Sequence, residues 1–237
     1  MNSFVAEGIG TALLILMGNG VVANVVLKKT FGNQGGWIVI TFGWAIAVFI
    51  GVMVAAPVSG AHLNPAVSIA MAVLGKISWN TAVQYIMAQM LGAMIGATLV
   101  YMTYRDHFAV TEDRGSKQAA FCTAPAIRNT FSNLFTEAVG TFVLVFAVLH
   151  IVSPEYKLGA LDALPVGLII LGLGLSLGGP TGYALNPARD LGPRIMHAFL
   201  PIPDKKDSDW SYSWIPVVGP ILGAVIAALL FGVIHTS

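Results

Sequence analysis

Two copies of Asn-Pro-Ala, at Asn64-Pro65-Ala66 in SGAHLNPAV and at Asn186-Pro187-Ala188 in TGYALNPARD, sit in opposite halves of a chain of 237 residues that is otherwise almost wholly apolar. Asn is a good helix N-cap, and Pro has no N–H to leave unpaired at the first helical position. Each copy therefore reads as a helix that begins in mid-membrane. The backbone just before it cannot be helical, and such backbone is tolerated at that depth only where it is buried in protein or lines a water-filled path.

The chain is 56% hydrophobic and 10% charged, which marks a polytopic membrane protein. Runs long enough to cross the hydrocarbon, which takes about 20 apolar residues, cover approximately 4 to 27, 36 to 56, 79 to 104, 131 to 153, 163 to 179 and 212 to 235. These spans leave no room for a separate water-soluble domain, so residues 1–237 are expected to form one channel-sized unit. Within the six runs the only acidic or basic residues are Glu7 and Glu137. The first run starts at residue 4 without a basic leader or a small-residue cleavage site, and reads as a retained span. The lone cysteine, Cys122, excludes an internal disulfide and a thiolate metal cluster, and no metal or cofactor is expected. A net charge of +1 and the lack of a basic stripe argue against a nucleic-acid partner.

Glu7-x-x-Gly10-Thr11 opens the first span and Glu137-x-x-Gly140-Thr141 the fourth; Leu91 to Ala97 in the third span matches Leu222 to Ala228 in the sixth. The chain is thus read as two repeats, 1–110 and 128–237, joined by loop 105–130. Because each half has an odd number of spans, the second must enter from the opposite side, giving an inverted repeat. Residues 64 to 74 and 186 to 199 are too short to cross and read as re-entrant half-helices. At about 11 residues each and roughly 1.5 Å per residue, they reach about 33 Å end to end, close to the hydrocarbon thickness. The stretches before them, Pro57 to Leu63 and Gly179 to Leu185, are expected to form a pore wall. The expected fold is an all-α membrane protein, with six transmembrane helices plus two re-entrant half-helices in an inverted repeat.

On these motifs the chain resembles the aquaporins, and within them the glycerol facilitators or aquaglyceroporins, over essentially all 237 residues. Asp190 directly after the NPAR arginine, Arg194, and Pro216 followed by Val217 look like the glycerol-conducting branch. The resemblance implies the aquaporin fold, one pore per subunit, a homotetramer in the lipid of the cell membrane, and cytoplasmic termini. It maps a four-residue selectivity filter near the outer mouth onto Trp44, Gly174, Tyr183 and Arg189. Gly174 replaces the histidine usual in water-selective channels, and Tyr183 replaces the phenylalanine common in glycerol facilitators. The Tyr183 hydroxyl either faces a neighbouring loop or makes the wall narrower and more polar. The carbonyls of Gly182, Tyr183 and Ala184, then those of Gly60, Ala61 and His62, are implied to form a ladder of acceptors, with the Asn64 and Asn186 amides donating at the centre. The solutes implied are glycerol and water; undissociated lactic acid, carried by similar channels of lactic-acid bacteria, is the alternative.

This constellation suits neutral solutes. A solute that sheds water must regain its hydrogen bonds, each worth about 1 to 3 kcal/mol if left unmade. Arg189 and the positive N-terminal ends of two half-helices oppose cations and protons. Arg189 could alternatively be an interfacial residue that snorkels, but its place three residues after Asn186 favours pore lining. Glu7 and Glu137 read either as proton relays or as buried acceptors for the loop N–H groups; their matched places favour the second. Asp190 reads as structural, His62 as a hydrogen-bonded fixture, and Trp44 as ordinary packing that only the resemblance promotes. His150, His197 and His235 share no ligand spacing. Gly92-x-x-x-Gly96 suits close helix contact, within or between subunits. Loop 105–130 reads mostly as a solvated cap, with Phe121 to Pro125 resembling the family segment that dips toward the outer vestibule.

An ion-coupled secondary transporter is the rival class, but apart from Glu7 and Glu137 the spans hold no acidic group for a coupling site. No nucleophile, base and orienting group can be assembled for an enzyme. One expectation conflicts with another: in the family orientation Lys28, Lys29, Arg105, Arg114, Lys117, Arg128, Arg189, Arg194, Lys205 and Lys206 lie outside, against Lys76 and Lys157 inside. The positive-inside rule argues the reverse. The family orientation is kept because NPAR-bearing loops face outward in that fold.

Overall fold

A computed structural model describes residues 1–151 and 159–235. The end of the fourth expected span, residues 152 and 153, and Lys157 lie outside the described residues, as do 236 and 237. Among the described residues the regular elements are all helical: α1 (Ser3–Val26), α2 (Gly36–Ser59), α3 (Pro65–Val73), α4 (Trp79–Thr103), α5 (Arg105–Val110), α6 (Arg114–Ala119), α7 (Thr130–Leu149), α8 (Leu164–Ser176), α9 (Pro187–Phe199) and α10 (Ile215–His235). A 3₁₀ turn at Gly159–Ala163 leads into α8. Among the described residues six helical stretches are long and apolar enough to cross a membrane: α1, α2, α4, α7, the stretch Gly159–Ser176, and α10. The sequence placed these spans to within a few residues.

The two short helices start where the motifs predict. Asn64 caps α3 by accepting the Ala66 N–H at 2.9 Å, and Asn186 caps α9 by accepting from Ala188 N and Arg189 N at 3.0 and 3.2 Å. They run 9 and 13 residues, which still sum to about 33 Å. One boundary differs from expectation. Pro57 does not end α2, which continues to Ser59 and stops at Gly60 with φ 82°. Proline in the last turn removes a single helical bond, whereas left-handed Gly60 turns the chain out of the helix and donates its N–H to Ala56 O. The first non-helical stretch is therefore shorter than Pro57 to Leu63.

Helix α1 packs between α2 and α4, and α7 packs on α10, while α2 also lies against α8. Each half-helix rests on a long helix from the other half of the chain, α9 on α4 and α3 on α10. Glycine permits the closest approaches. A Cβ at Gly92 would stand 2.2 Å from Gly8 O, one at Gly96 2.6 Å from Ala12 O, and one at Gly223 2.0 Å from Ala138 O. The Gly92-x-x-x-Gly96 stripe thus packs α4 on α1 within one chain.

These contacts predict that Gly92→Ala and Gly223→Ala each lower stability by about 1–3 kcal/mol, because backbone carbonyls rather than flexible side chains oppose the new methyl. Gly20→Ala, with nothing within 4 Å, is the control and should be neutral or mildly stabilising. Melting followed in detergent by fluorescence-detected size exclusion checks this; a Gly92→Ala protein that melts with the control would contradict the packing.

Candidate functional site

The residues before each half-helix zigzag through left-handed backbone. Gly60, Ala61 and Leu63 have φ of 82°, 54° and 51°, and Gly182, Tyr183 and Leu185 have 74°, 38° and 55°. For a residue with a Cβ each such turn costs about 1–2 kcal/mol, so something must hold it. The holder in each half is a fully buried carboxylate. Glu7 Oε1 accepts from His62 N at 2.9 Å and Ser59 Oγ at 2.6 Å, while its Oε2 accepts from Leu63 N at 2.7 Å and Gln89 Nε2 at 2.8 Å. Glu137 accepts from Ala184 N at 3.0 Å and Leu185 N at 2.9 Å. The glycine three residues after each glutamate makes room for the leucine of the loop: a Cβ at Gly10 or at Gly140 would lie 2.7 Å from Leu63 Cδ2 or Leu185 Cδ2. His62 is fixed in turn, its Nδ1 at 3.1 Å from Ser68 Oγ and its ring edge-on to Tyr85.

The two motifs meet. Asn64 Nδ2 donates to Leu185 O at 2.9 Å, and Asn186 Nδ2 donates to Leu63 O at 2.8 Å. Each amide group carries two N–H bonds, so one from each asparagine remains for a solute.

A cavity of about 130 Å³ runs past this crossing. One wall is apolar, with Val48, Val52, Leu144, Val166 and Ile170. The other is a polar strip formed by Gly60, Ala61, His62, Leu63, Asn64, Tyr183, Ala184, Leu185, Asn186 and Arg189. Trp44 also lines the cavity, lodged where a Cβ at Gly18 would come within 2.2 Å of its ring, and the Arg189 guanidinium lies over it at 4.1 Å. Arg189 is 8% exposed, and its Nη1, Trp44 Nε1 and Tyr183 Oη are buried without a hydrogen-bond partner. The neighbouring Asp190 does not neutralise it: Asp190 binds Thr123 N, Thr123 Oγ1 and the buried Arg194 side chain at 2.6 to 3.1 Å.

One expected filter position, Gly174, and one expected carbonyl position, Gly182, stand behind this wall rather than in it. Gly174 does not line the cavity; a Cβ there would lie 2.7 Å from Thr41 Cγ2 and 3.0 Å from Tyr183 Cζ, so its missing side chain makes room for the Tyr183 ring. Gly182 supplies a left-handed turn and also lies off the cavity. The Tyr183 hydroxyl is buried and does not open on the lumen as the sequence allowed.

Loop 105–130 is more than a solvated cap. Phe108, Lys117, Gln118, Phe121 and Cys122 are buried, Asn19 Nδ2 donates to Phe121 O, and Ala126 N donates to Pro180 O. Its charges find partners far along the chain: Arg114 pairs with Asp204, Arg128 with Asp209, and Lys117 Nζ donates to Pro203 O. Sequence reasoning also missed Ser59, Gln89, Thr123 and Trp37. Gln89, an isolated amide in an apolar span, could have been found as a partner for Glu7; Trp37, whose Nε1 donates to Gly174 O at 2.9 Å, could not. Among the described residues no cluster of three or more His, Cys, Asp or Glu could hold a metal ion.

Membrane-length helices, two short helices capped by crossed asparagines and a mostly apolar cavity with a polar strip define a membrane transport protein. Its relatives agree. The family model for the major intrinsic proteins matches residues 1–231, and the chain belongs to that family. It is 54% identical over 231 residues to the probable glycerol uptake facilitator protein of Thermotoga maritima, covering 98% of both chains. It is likewise 54% identical over 231 residues to the glycerol uptake facilitator protein of Streptococcus pneumoniae strain R6, again covering 98% of each. The solved aquaglyceroporin of Plasmodium falciparum superposes with a TM-score of 0.86 at 35% identity, over 99% of this chain and 96% of that one. This membership makes the chain a transport protein rather than an enzyme.

An unpartnered buried hydroxyl costs about 1–3 kcal/mol, so Tyr183→Phe should melt no lower than the wild type and carry solute within about twofold of it, by stopped-flow light scattering on proteoliposomes. A tenfold loss would mean that the hydroxyl binds the solute. Cys122 is 2% exposed, and burial pushes its thiol up to about 12. Maleimide should therefore label the folded protein at least roughly a hundredfold more slowly than the denatured chain, and mercurials should inhibit weakly; rapid native labelling would contradict this burial.

Proposed function

We propose that the chain is a passive membrane channel whose chief solute is glycerol, with water taking the same path and ions and protons excluded. The observation that carries this reading is the two-faced cavity. An apolar wall accommodates the carbons of a polyol, while the carbonyls of the zigzag loops accept from its hydroxyls and the free amide N–H groups of Asn64 and Asn186 donate to them. Trp44, Gly174, Tyr183 and Arg189 form the narrow filter, Gly174 acting through Tyr183. Among the described residues no carboxylate forms an ion pair with Arg189. Its charge therefore opposes cations beside the path. Glu7 and Glu137 support the loops, since loop N–H groups occupy their oxygens.

The proposal includes an inverted repeat of 1–110 and 128–237 joined by loop 105–130, a homotetramer in the lipid of the cell membrane, and cytoplasmic termini. Four of the ten basic residues that offend the positive-inside rule are engaged structurally: Arg194 with Asp190, Arg114 with Asp204, Arg128 with Asp209, and Lys205 with the last carbonyls of α9. Undissociated lactic acid is the second solute, because a lining with both apolar side chains and polar groups also suits a small neutral acid.

Proteoliposomes test these readings. Glycerol influx should scale linearly with its gradient and ignore sodium and pH gradients; saturable, ion-driven accumulation would sink the channel. Lactic acid uptake should fall about tenfold per pH unit above the acid's pKa, since only the neutral form passes. Arg189→Ala removes a unit charge from the cavity lining, so cation leak should rise at least roughly tenfold. A leak that stays at the wild-type level would refute the charge barrier.

A further inference from the structure

We propose that Trp37 is a positioning residue of the filter, one that sets the size of solute the pore admits; this rests on the channel reading above. Trp37 does not line the cavity and leaves 39% of its surface exposed, yet its buried atoms touch two filter residues at once. Its indole Nε1 donates to Gly174 O at 2.9 Å. That oxygen is one of the last four carbonyls of α8, which the helix itself leaves without a partner. The indole thus caps α8 at the filter glycine. Its ring also stands edge-on to Tyr183, with centroids 5.6 Å apart and planes at 78°.

Tyr183 is thereby held by contact alone. Its hydroxyl has no hydrogen-bond partner, and its own φ of 38° is strained. The ring is boxed by Trp37, by Thr41 and the bare Gly174, and by Gly178, where a Cβ would lie 2.6 Å from Tyr183 Cδ1, 2.8 Å from Trp37 Cζ2 and 2.6 Å from Gly174 O. Every wall of this box is either Trp37 or something Trp37 holds or touches, apart from Thr41. Loss of the indole N–H frees the last turn of α8, and loss of the ring frees Tyr183 to swing outward. Either change widens the filter without altering any group that meets the solute.

The test compares wild type, Trp37→Phe, which keeps a ring and removes the donor, and Trp37→Ala in proteoliposomes of matched channel density, measuring permeability to glycerol and to the four-carbon polyol erythritol. The erythritol-to-glycerol ratio should rise at least about threefold in Trp37→Phe and further in Trp37→Ala. Gly178→Ala, which adds a methyl to the wall behind the Tyr183 ring and so presses it toward the lumen, should lower the ratio and serves if the Trp37 variants fail to reconstitute. A merely structural role lowers both permeabilities in proportion to folded protein and leaves the ratio unmoved. An unmoved ratio in a wild type that conducts glycerol overturns the part assigned to Trp37; a wild type that passes neither polyol overturns the channel reading itself.

Discussion

Four backbone N–H groups, two in each loop, must find acceptors where the chain can make no helix, and the carboxylates of Glu7 and Glu137 supply them. Most of the site follows from that contact. By binding Leu63 N and Leu185 N, the carboxylates stabilise left-handed backbone that the leucines would otherwise avoid. Three left-handed residues in each loop, two consecutive and one two places on, let one short segment present several carbonyls in succession. The same contact fixes where α3 and α9 begin, because the asparagine that follows each leucine is their cap.

Each asparagine then divides its bonding between the two halves. Its oxygen serves the helix it starts, while its nitrogen reaches across to the carbonyl of the opposite leucine. The second set of constraints lies at the Arg189 end, where Asp190 is committed to Arg194 and Thr123. That commitment ties loop 105–130 to α9 and leaves the Arg189 charge unbalanced. A buried, unpaired guanidinium is expensive, and its stacking on Trp44 offsets only part of the cost.

Much of this was legible in the sequence because its signals are local or repeated. Apolar runs mark spans, Asn-Pro marks a helix start, and the matched Glu-x-x-Gly-Thr segments mark equivalent places in the two halves. What escaped depends on contacts across long separations. The ion pairs of loop 105–130 could not be read because the partners of Arg114 and Arg128, Asp204 and Asp209, lie more than 80 residues away. Gly174 stood out only as a small residue in place of a histidine, whereas the space it leaves is filled by the ring of Tyr183, a relation visible only once α8 and that loop are placed. Pro57 looked like the end of α2 because proline usually breaks helices, yet a final turn has little left to lose.

The crossed amides carry a consequence for how such a molecule is assembled. Neither half satisfies itself: severed at loop 105–130, each fragment would hold a leucine carbonyl and an asparagine N–H whose mates reside on the other fragment. A primitive ancestor made of a single three-span unit would have had to pair with a copy of itself inserted upside down, and so would have needed a peptide able to enter the bilayer in both directions. Fusion of two such units removes that demand. Each half is then free to acquire the residues its own side requires, and Arg189 opposite Val67, each three residues past its cap, is one place where the two have diverged.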